Sequence, residues 1–133
     1  MNERVFVDTS ALYAFINSKD PDHETVKGYL ENYPGQLITT NFVFDETVTL
    51  VSARLGHINA ALTGKTLLNR KIFTMIRIKT RDENNAWELF MNRPAKSYSF
   101  TDCTSFVMMK KMGITKSLAT DPNFQQEGFQ AVI

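Results

Sequence analysis

Four of the fourteen acids in this 133-residue chain have the spacing of a reactive group. Asp8 closes the apolar run Val5-Phe-Val, Asp121 follows Ser117-Leu-Ala-Thr, and Glu46 and Asp102 fall in the opening turns of helical segments. In a helix, Glu46 shares a face with Phe42, Val43, Leu50 and Ala53, whereas its neighbour Asp45 shares one with Asn41, Thr49 and Ser52. The 3.6-residue period therefore sends Asp45 to solvent and Glu46 inward. Asp102 shares its face with Phe106 and Met109. An inward carboxylate needs a partner, and no lysine or arginine stands near Glu46 in sequence to supply one. A hard divalent cation is the economical counter-ion, because it takes oxygen ligands. Carboxylates holding a largely hydrated Mg²⁺ or Mn²⁺ suit phosphate chemistry: the ion polarises a phosphoryl oxygen and lowers the pKa of a water. Taken singly, three of the acids also read as plain caps. Asp8 can cap a helix starting at Thr9, Asp121 a turn led by Pro122, and Asp102 lies three residues after Ser99, the spacing of a capping box.

Other chemistries lack their residues. The soft or imidazole ligands are His23, His57 and Cys103, without zinc spacing. There is no G-x-S-x-G, no G-x-x-x-x-G-K-[ST] and no G-x-G-x-x-G. One cysteine cannot make an internal disulfide, and Cys103 reads as a small core residue. No uncharged apolar run nears the ~18 residues of a membrane span. The start Met-Asn-Glu-Arg-Val-Phe-Val-Asp puts acids where a secretory leader is apolar. A reducing, cytoplasmic setting is the expectation.

The elements that must position the acids follow from the same reading. A length of 133 residues and 43% hydrophobic content fit one globular domain, residues 1–133. Strands are predicted at Arg4–Val7, Gln36–Thr40, Phe73–Lys79, Ser117–Thr120 and, less distinctly, Ala131–Ile133. Helices are predicted at Thr9–Asn17, Asp22–Tyr33, Asn41–Leu55, Ile58–Asn69, Arg81–Asn92 and Ser99–Met112. Alternating strands and helices imply an α/β fold, a parallel sheet covered on both faces. Ligands of such sheets bind beyond the carboxyl ends of the strands, where Asp8 and Asp121 stand and where the helices bearing Glu46 and Asp102 begin.

Charge along the chain is uneven. Residues 1–46 hold eight acids and three bases, while 47–81 hold seven bases and no acid. Such a segment suits a polyanion such as RNA, and Arg70, Lys71, Arg77 and Lys79 are its candidate phosphate contacts; an ordinary solvated surface would carry the same residues. Met108, Met109 and Met112 read as helix packing or a dimer face, and Trp87 and Phe90 read as core.

Four fragments in order, Val5-Phe-Val-Asp-Thr-Ser-Ala-Leu12, Asp45-Glu46, Ser99-Phe-Thr-Asp-Cys-Thr-Ser-Phe106 and Leu118-Ala-Thr-Asp-Pro-Asn-Phe124 followed by Gly128-Phe129, resemble PIN-domain ribonucleases, the family of the VapC toxins of toxin–antitoxin pairs. The resemblance spans the full length. It implies a three-layer α/β/α fold with a central parallel sheet of four to five strands in the order 3-2-1-4-5. It places the family's acidic quartet, catalytic and metal-holding, on Asp8, Glu46, Asp102 and Asp121, with supporting hydroxyls at Thr9 and Thr120. It further implies a Mg²⁺- or Mn²⁺-dependent endoribonuclease, a homodimer, and an antitoxin that covers the site. An RNA-processing nuclease and a non-catalytic RNA-binding module are the alternatives. A signalling receiver is disfavoured: the first strand ends Val7-Asp8-Thr9 without adjacent acids, and no lysine closes a fifth strand.

Overall fold

A computed structural model of the chain describes residues 3–133. Five parallel strands form one sheet in the order β3-β2-β1-β4-β5. They are β1 (Arg4–Val7), β2 (Gln36–Thr40), β3 (Phe73–Ile76), β4 (Lys116–Leu118) and β5 (Gln130–Ala131). The helices are α1 (Thr9–Ile16), α2 (His23–Asn32), α3 (Asn41–Leu55), α4 (His57–Leu67), α5 (Thr80–Met91), α6 (Phe100–Met112) and α7 (Asn123–Gln126). They cover both faces of the sheet, the three-layer arrangement expected.

The centre of the sheet is apolar on both faces because parallel strands are buried on both. Val5, Phe6 and Val7 are all buried, and β1 pairs with β2 through Arg4↔Gln36 to Phe6↔Ile38 and with β4 through Val5↔Lys116 to Val7↔Leu118. On one face Phe106 packs edge-on to Tyr98 and Phe124 with ring centroids 4.9 Å apart in each pair, and it stacks on Phe129. These rings contribute roughly 0.5–1.5 kcal/mol per pair beyond their buried area. Gly113 ends α6 at φ +69°, a left-handed turn that any side chain would strain. It returns the chain into β4, the strand that delivers Asp121.

Two differences from the sequence reading bear on the site. Strand β3 stops at Ile76 rather than Lys79, because the Ile78 N–H donates to Asn41 Oδ1 (2.7 Å) instead of to a neighbouring strand. Strand β4 stops at Leu118 rather than Thr120, because the Thr120 N–H is taken by Ser10 Oγ (3.0 Å).

Candidate active site

Each acid is held at the carboxyl edge of the sheet by a local device. Asp8 leaves β1 extended (φ −90°, ψ 161°) and caps α1: its Oδ2 accepts from the Ser10 N–H (3.2 Å) and from Ser10 Oγ (2.8 Å). Its own N–H donates to the Leu118 carbonyl at 3.0 Å, so Asp8 is seated against the end of β4. Thr40 caps α3 by accepting from the Val43 N–H (3.1 Å), which starts that helix at the end of β2. One turn later Asp45 is exposed and Glu46 half-buried, as the period requires. The deepest stripe of α3 is Val43, Thr47 and Val51. Glu46 rides on the flank of that stripe, in line with the half-buried Phe42 and Leu50, and so borders an opening instead of entering the core.

Asp102 is both a cap and a member of the cluster. Ser99 Oγ accepts from the Asp102 N–H (2.9 Å), and Asp102 Oδ2 accepts from the Ser99 N–H (3.0 Å) and from Asn123 Nδ2 (3.0 Å). The capping and cluster readings of this residue are thus compatible, since the cap engages Oδ2 alone. Asp121 Oδ1 accepts from the Asn123 N–H (3.0 Å), turning the chain into α7.

Asp8, Glu46, Asp102 and Asp121 line one opening of about 320 Å³ together with Thr9, Ser10, Leu50, Ser97 and Ser99. Among the described residues, no basic side chain lines it. Burial, reinforced by the charges of Asp102 and Asp121, pushes the Asp8 carboxyl up to about 8. Burial also raises Asp102, against the Ser99 and Asn123 donors that favour its charge, while Asp121 and Glu46 add to the rise. Asp8 Oδ1 is buried and accepts no hydrogen bond. Buried acids elsewhere are treated differently. Asp82 pairs with Lys111 Nζ at 3.1 Å. Glu127 accepts from Arg93 Nε and Nη2 (3.1 Å each) and from the Tyr98 hydroxyl (3.1 Å), with Lys110 Nζ at 3.7 Å. Among the described residues, the buried acids without a cation partner are Asp8 and Asp102, both in the cluster at the sheet edge.

The PIN domain pattern matches residues 5–129 of this chain. The chain belongs to the PIN-domain family. The 23S rRNA-specific endonuclease VapC20 of Mycobacterium tuberculosis is 37% identical over 131 residues, covering 96% of this chain and 97% of that protein. A VapC ribonuclease of Archaeoglobus fulgidus is 28% identical over 123 residues, 89% of this chain and 77% of that one. The crystal structure of the M. tuberculosis protein, described as a sarcin–ricin loop cleaving toxin, superposes with a TM-score of 0.89 at 34% identity over 94% of this chain and 95% of that one. VapBC2 of Rickettsia felis, solved on a DNA fragment of its promoter, shares the fold at 11% identity, with a TM-score of 0.68 over 96% of each chain.

Within this PIN domain the residues present fit a divalent cation by the chemistry of their donors: an orphaned carboxylate oxygen on Asp8, three further acids and neutral hydroxyls, all oxygen. Among the described residues, no three acid, histidine or cysteine side chains stand close enough together to hold a metal ion between them by themselves, so a cation here would complete its shell with water. That geometry suits an ion that keeps several of its waters, as Mg²⁺ does. Thr9 lines the opening and accepts from Thr47 Oγ1 at 3.1 Å, tying α1 to the helix of Glu46. Thr120 contributes its backbone N–H to Ser10 and lines a neighbouring depression with Asp22, Asp121 and Pro122, not the quartet's opening.

The basic residues divide. Arg77 and Lys79 are exposed beyond the end of β3, on the carboxyl edge of the sheet but two strands from Asp8, roughly 10 Å across the ladder. Arg70 and Lys71 precede β3, at its other end; Arg70 shares an opening along the β3 edge with Arg77, and neither Arg70 nor Lys71 lines the quartet's opening. Cys103 is buried, and burial pushes its thiol up to about 11, an unreactive core residue. Met108 and Met109 are core and Met112 packs half-buried against it, so this stripe serves as helix packing. Trp87 and Phe90, read as core from sequence, are instead exposed at 52% and 39%, stacked on each other beside the exposed Met91. Ser10 and Asn123 escaped the sequence reading. The available signal was local: a hydroxyl two residues after Asp8, and an amide two residues after Asp121, where turn-forming side chains bond.

Proposed function

We propose that this PIN domain is a Mg²⁺- or Mn²⁺-dependent endoribonuclease and the toxin of a toxin–antitoxin pair. The observation that carries the reading is Asp8 Oδ1, a buried and unpartnered carboxylate oxygen in an opening lined by three more acids and, among the described residues, no base. Burying such a group unpaired costs several kcal/mol, an expense that a bound cation offsets. Asp8, Glu46, Asp102 and Asp121 would hold the ion, directly or through its waters. When bound, the ion supplies charge neutralisation at a phosphoryl oxygen and activation of a water for attack on phosphorus. Ser10 and Ser99 orient Asp8 and Asp102, and Thr9 fixes the helix of Glu46. Leu50 forms an apolar wall of the opening. Arg77 and Lys79 meet phosphates flanking the scissile one.

The similarity to a 23S rRNA-specific endonuclease supports a structured RNA target, and the sarcin–ricin loop is the first substrate to test. The VapC names of the relatives support an antitoxin partner that covers the site, and a cytoplasmic location follows from an RNA substrate of that kind. The exposed Trp87-Phe90-Met91 face of α5 supports a homodimer. The test is cleavage of a sarcin–ricin hairpin RNA with Mn²⁺, with Mg²⁺ and with excess EDTA. Cleavage that stops in EDTA and in Asp8→Asn is the expected result. Undiminished cleavage in EDTA refutes metal dependence, and RNA binding with no cleavage under any metal makes the chain a binding module.

A further inference from the structure

Asn123 is the one described residue that hydrogen-bonds two of the four clustered carboxylates. Its backbone N–H donates to Asp121 Oδ1 and its side-chain Nδ2 to Asp102 Oδ2, each at 3.0 Å. The second bond is not needed by the local structure. Asp102 already completes the capping box of α6 with Ser99, and Asn123 reaches it from another element, 21 residues further along the chain. The backbone bond belongs to the turn at Asp121 and survives any side chain at 123, so the carboxamide contributes one separable hydrogen bond.

We infer that Asn123 is a positioning residue: its carboxamide locks the Asp102 carboxylate to the Asp121 turn and commits Oδ2 to protein donors, which leaves Oδ1 for a cation. Among the described residues Asp102 Oδ2 accepts two N–H groups and Oδ1 accepts none. The parallel at Asp8 is close, where Ser10 occupies Oδ2 and Oδ1 stays bare. A neutral amide suits the task better than a lysine or arginine. It orients the carboxylate without supplying a full positive charge that would compete with the cation. Outer partners of this kind usually change metal affinity or activity by about 10–100-fold when removed.

The inference rests on the metal-dependent reading above, and the experiment separates the two. Mn²⁺ binding is measured by isothermal titration on wild type and Asn123→Ala well below both melting temperatures, beside kcat and KM on the hairpin RNA. The expected result is Mn²⁺ affinity weaker by about tenfold or more and kcat lower by about 10–100-fold, with KM for RNA within about twofold. A variant with wild-type Mn²⁺ affinity and kcat overturns the inference, even if it melts earlier, because a merely structural amide would move only the melt. A rise in KM alone overturns it too, assigning Asn123 to RNA contact. Should Asn123→Ala not fold, Asn123→Ser keeps the turn with a donor too short to reach Asp102 and is read in the same way. Failure of wild type itself to bind Mn²⁺ refutes the metal-dependent reading instead.

Discussion

Replacing Asp8 with Asn should stabilise the metal-free protein near neutral pH, and by more as the pH rises. Asp8 is buried with one unpartnered oxygen, and its carboxyl is pushed from 3.8 to about 8, first by burial and then by Asp102 and Asp121. The folded state therefore holds a proton that the unfolded chain releases near pH 4. Between those values the native state binds more protons than the unfolded one, so stability falls as pH rises through the window and levels off above about 8. Each unit is about 1.36 kcal/mol, so at pH 7.5 the penalty has an upper bound of about 5 kcal/mol, and relaxation of the pocket lowers it. Asn carries no such penalty and can still accept from Ser10, but its amide group adds a donor with no partner, costing about 1–3 kcal/mol. The net gain should be about 1–3 kcal/mol near pH 7.5, shrink as the pH falls, and become a loss of about 1–3 kcal/mol near pH 4, where only the unpartnered amide donor remains. For a chain of this size that is roughly 3–5 °C per kcal/mol. Thermal melts by circular dichroism in EDTA, from pH 4.5 to 8.5, measure the gap between the two proteins. An advantage of the variant that stays flat or falls with rising pH would refute the account of Asp8. Mn²⁺ at a hundredfold excess over Kd should stabilise wild type by about 2.7 kcal/mol and Asp8→Asn by far less.

Glu127→Ala should destabilise the fold by about 1–3 kcal/mol, because it leaves the buried Tyr98 hydroxyl without its acceptor, while water can take over the exposed Arg93; urea titration checks this, and a loss under about 1 kcal/mol would show the cluster to be dispensable. Charge reversal at Arg77 and Lys79 should weaken RNA binding and flatten its salt dependence by roughly one unit of slope for each phosphate no longer neutralised, whereas reversal at Arg70 and Lys71 should leave the slope unchanged, as salt-series binding curves will show. Trp87→Glu should convert a dimer to monomers by light scattering while leaving the far-ultraviolet spectrum intact; an unchanged mass moves the self-association face elsewhere.

The quartet is legible in the sequence because strand ends and helix starts are the best-marked points of an α/β chain. Val5-Phe-Val ends at Asp8, a residue type that caps helices, and Thr40 and Gly56 bracket α3 at the bounds that sequence predicts. The inward lean of Glu46 follows from the helical period, though periodicity cannot separate the flank of the stripe from its centre. What stays hidden depends on bonds between distant residues. Lys110 and Tyr98 meet Glu127 only in three dimensions, and Asp102 meets Asn123 only once α6 and the end of β4 are packed. Helix α7 spans four residues, too short to show a period. Trp87 defeats the sequence reading because an amphipathic helix records which residues are apolar, not whether the face they form meets the core or another surface.

Ser10 joins Thr120 across 110 residues, and Asp8 joins Leu118 in the same seam. The central strand β1 thus waits for a neighbour made long after it. During synthesis, β1, β2 and β3 can emerge and pair, but Asp121 and Asn123 are still missing, and the edge of β1 meant for β4 is open. Pairings of such sequence separation slow folding, because loop closure precedes their reward. A nascent chain released before residue 121 carries three of the acids and no complete site. The four acids can therefore gather only after the end of β4 has been made, so the order of strands in this sheet leaves the proposed site unassembled in the early nascent chain.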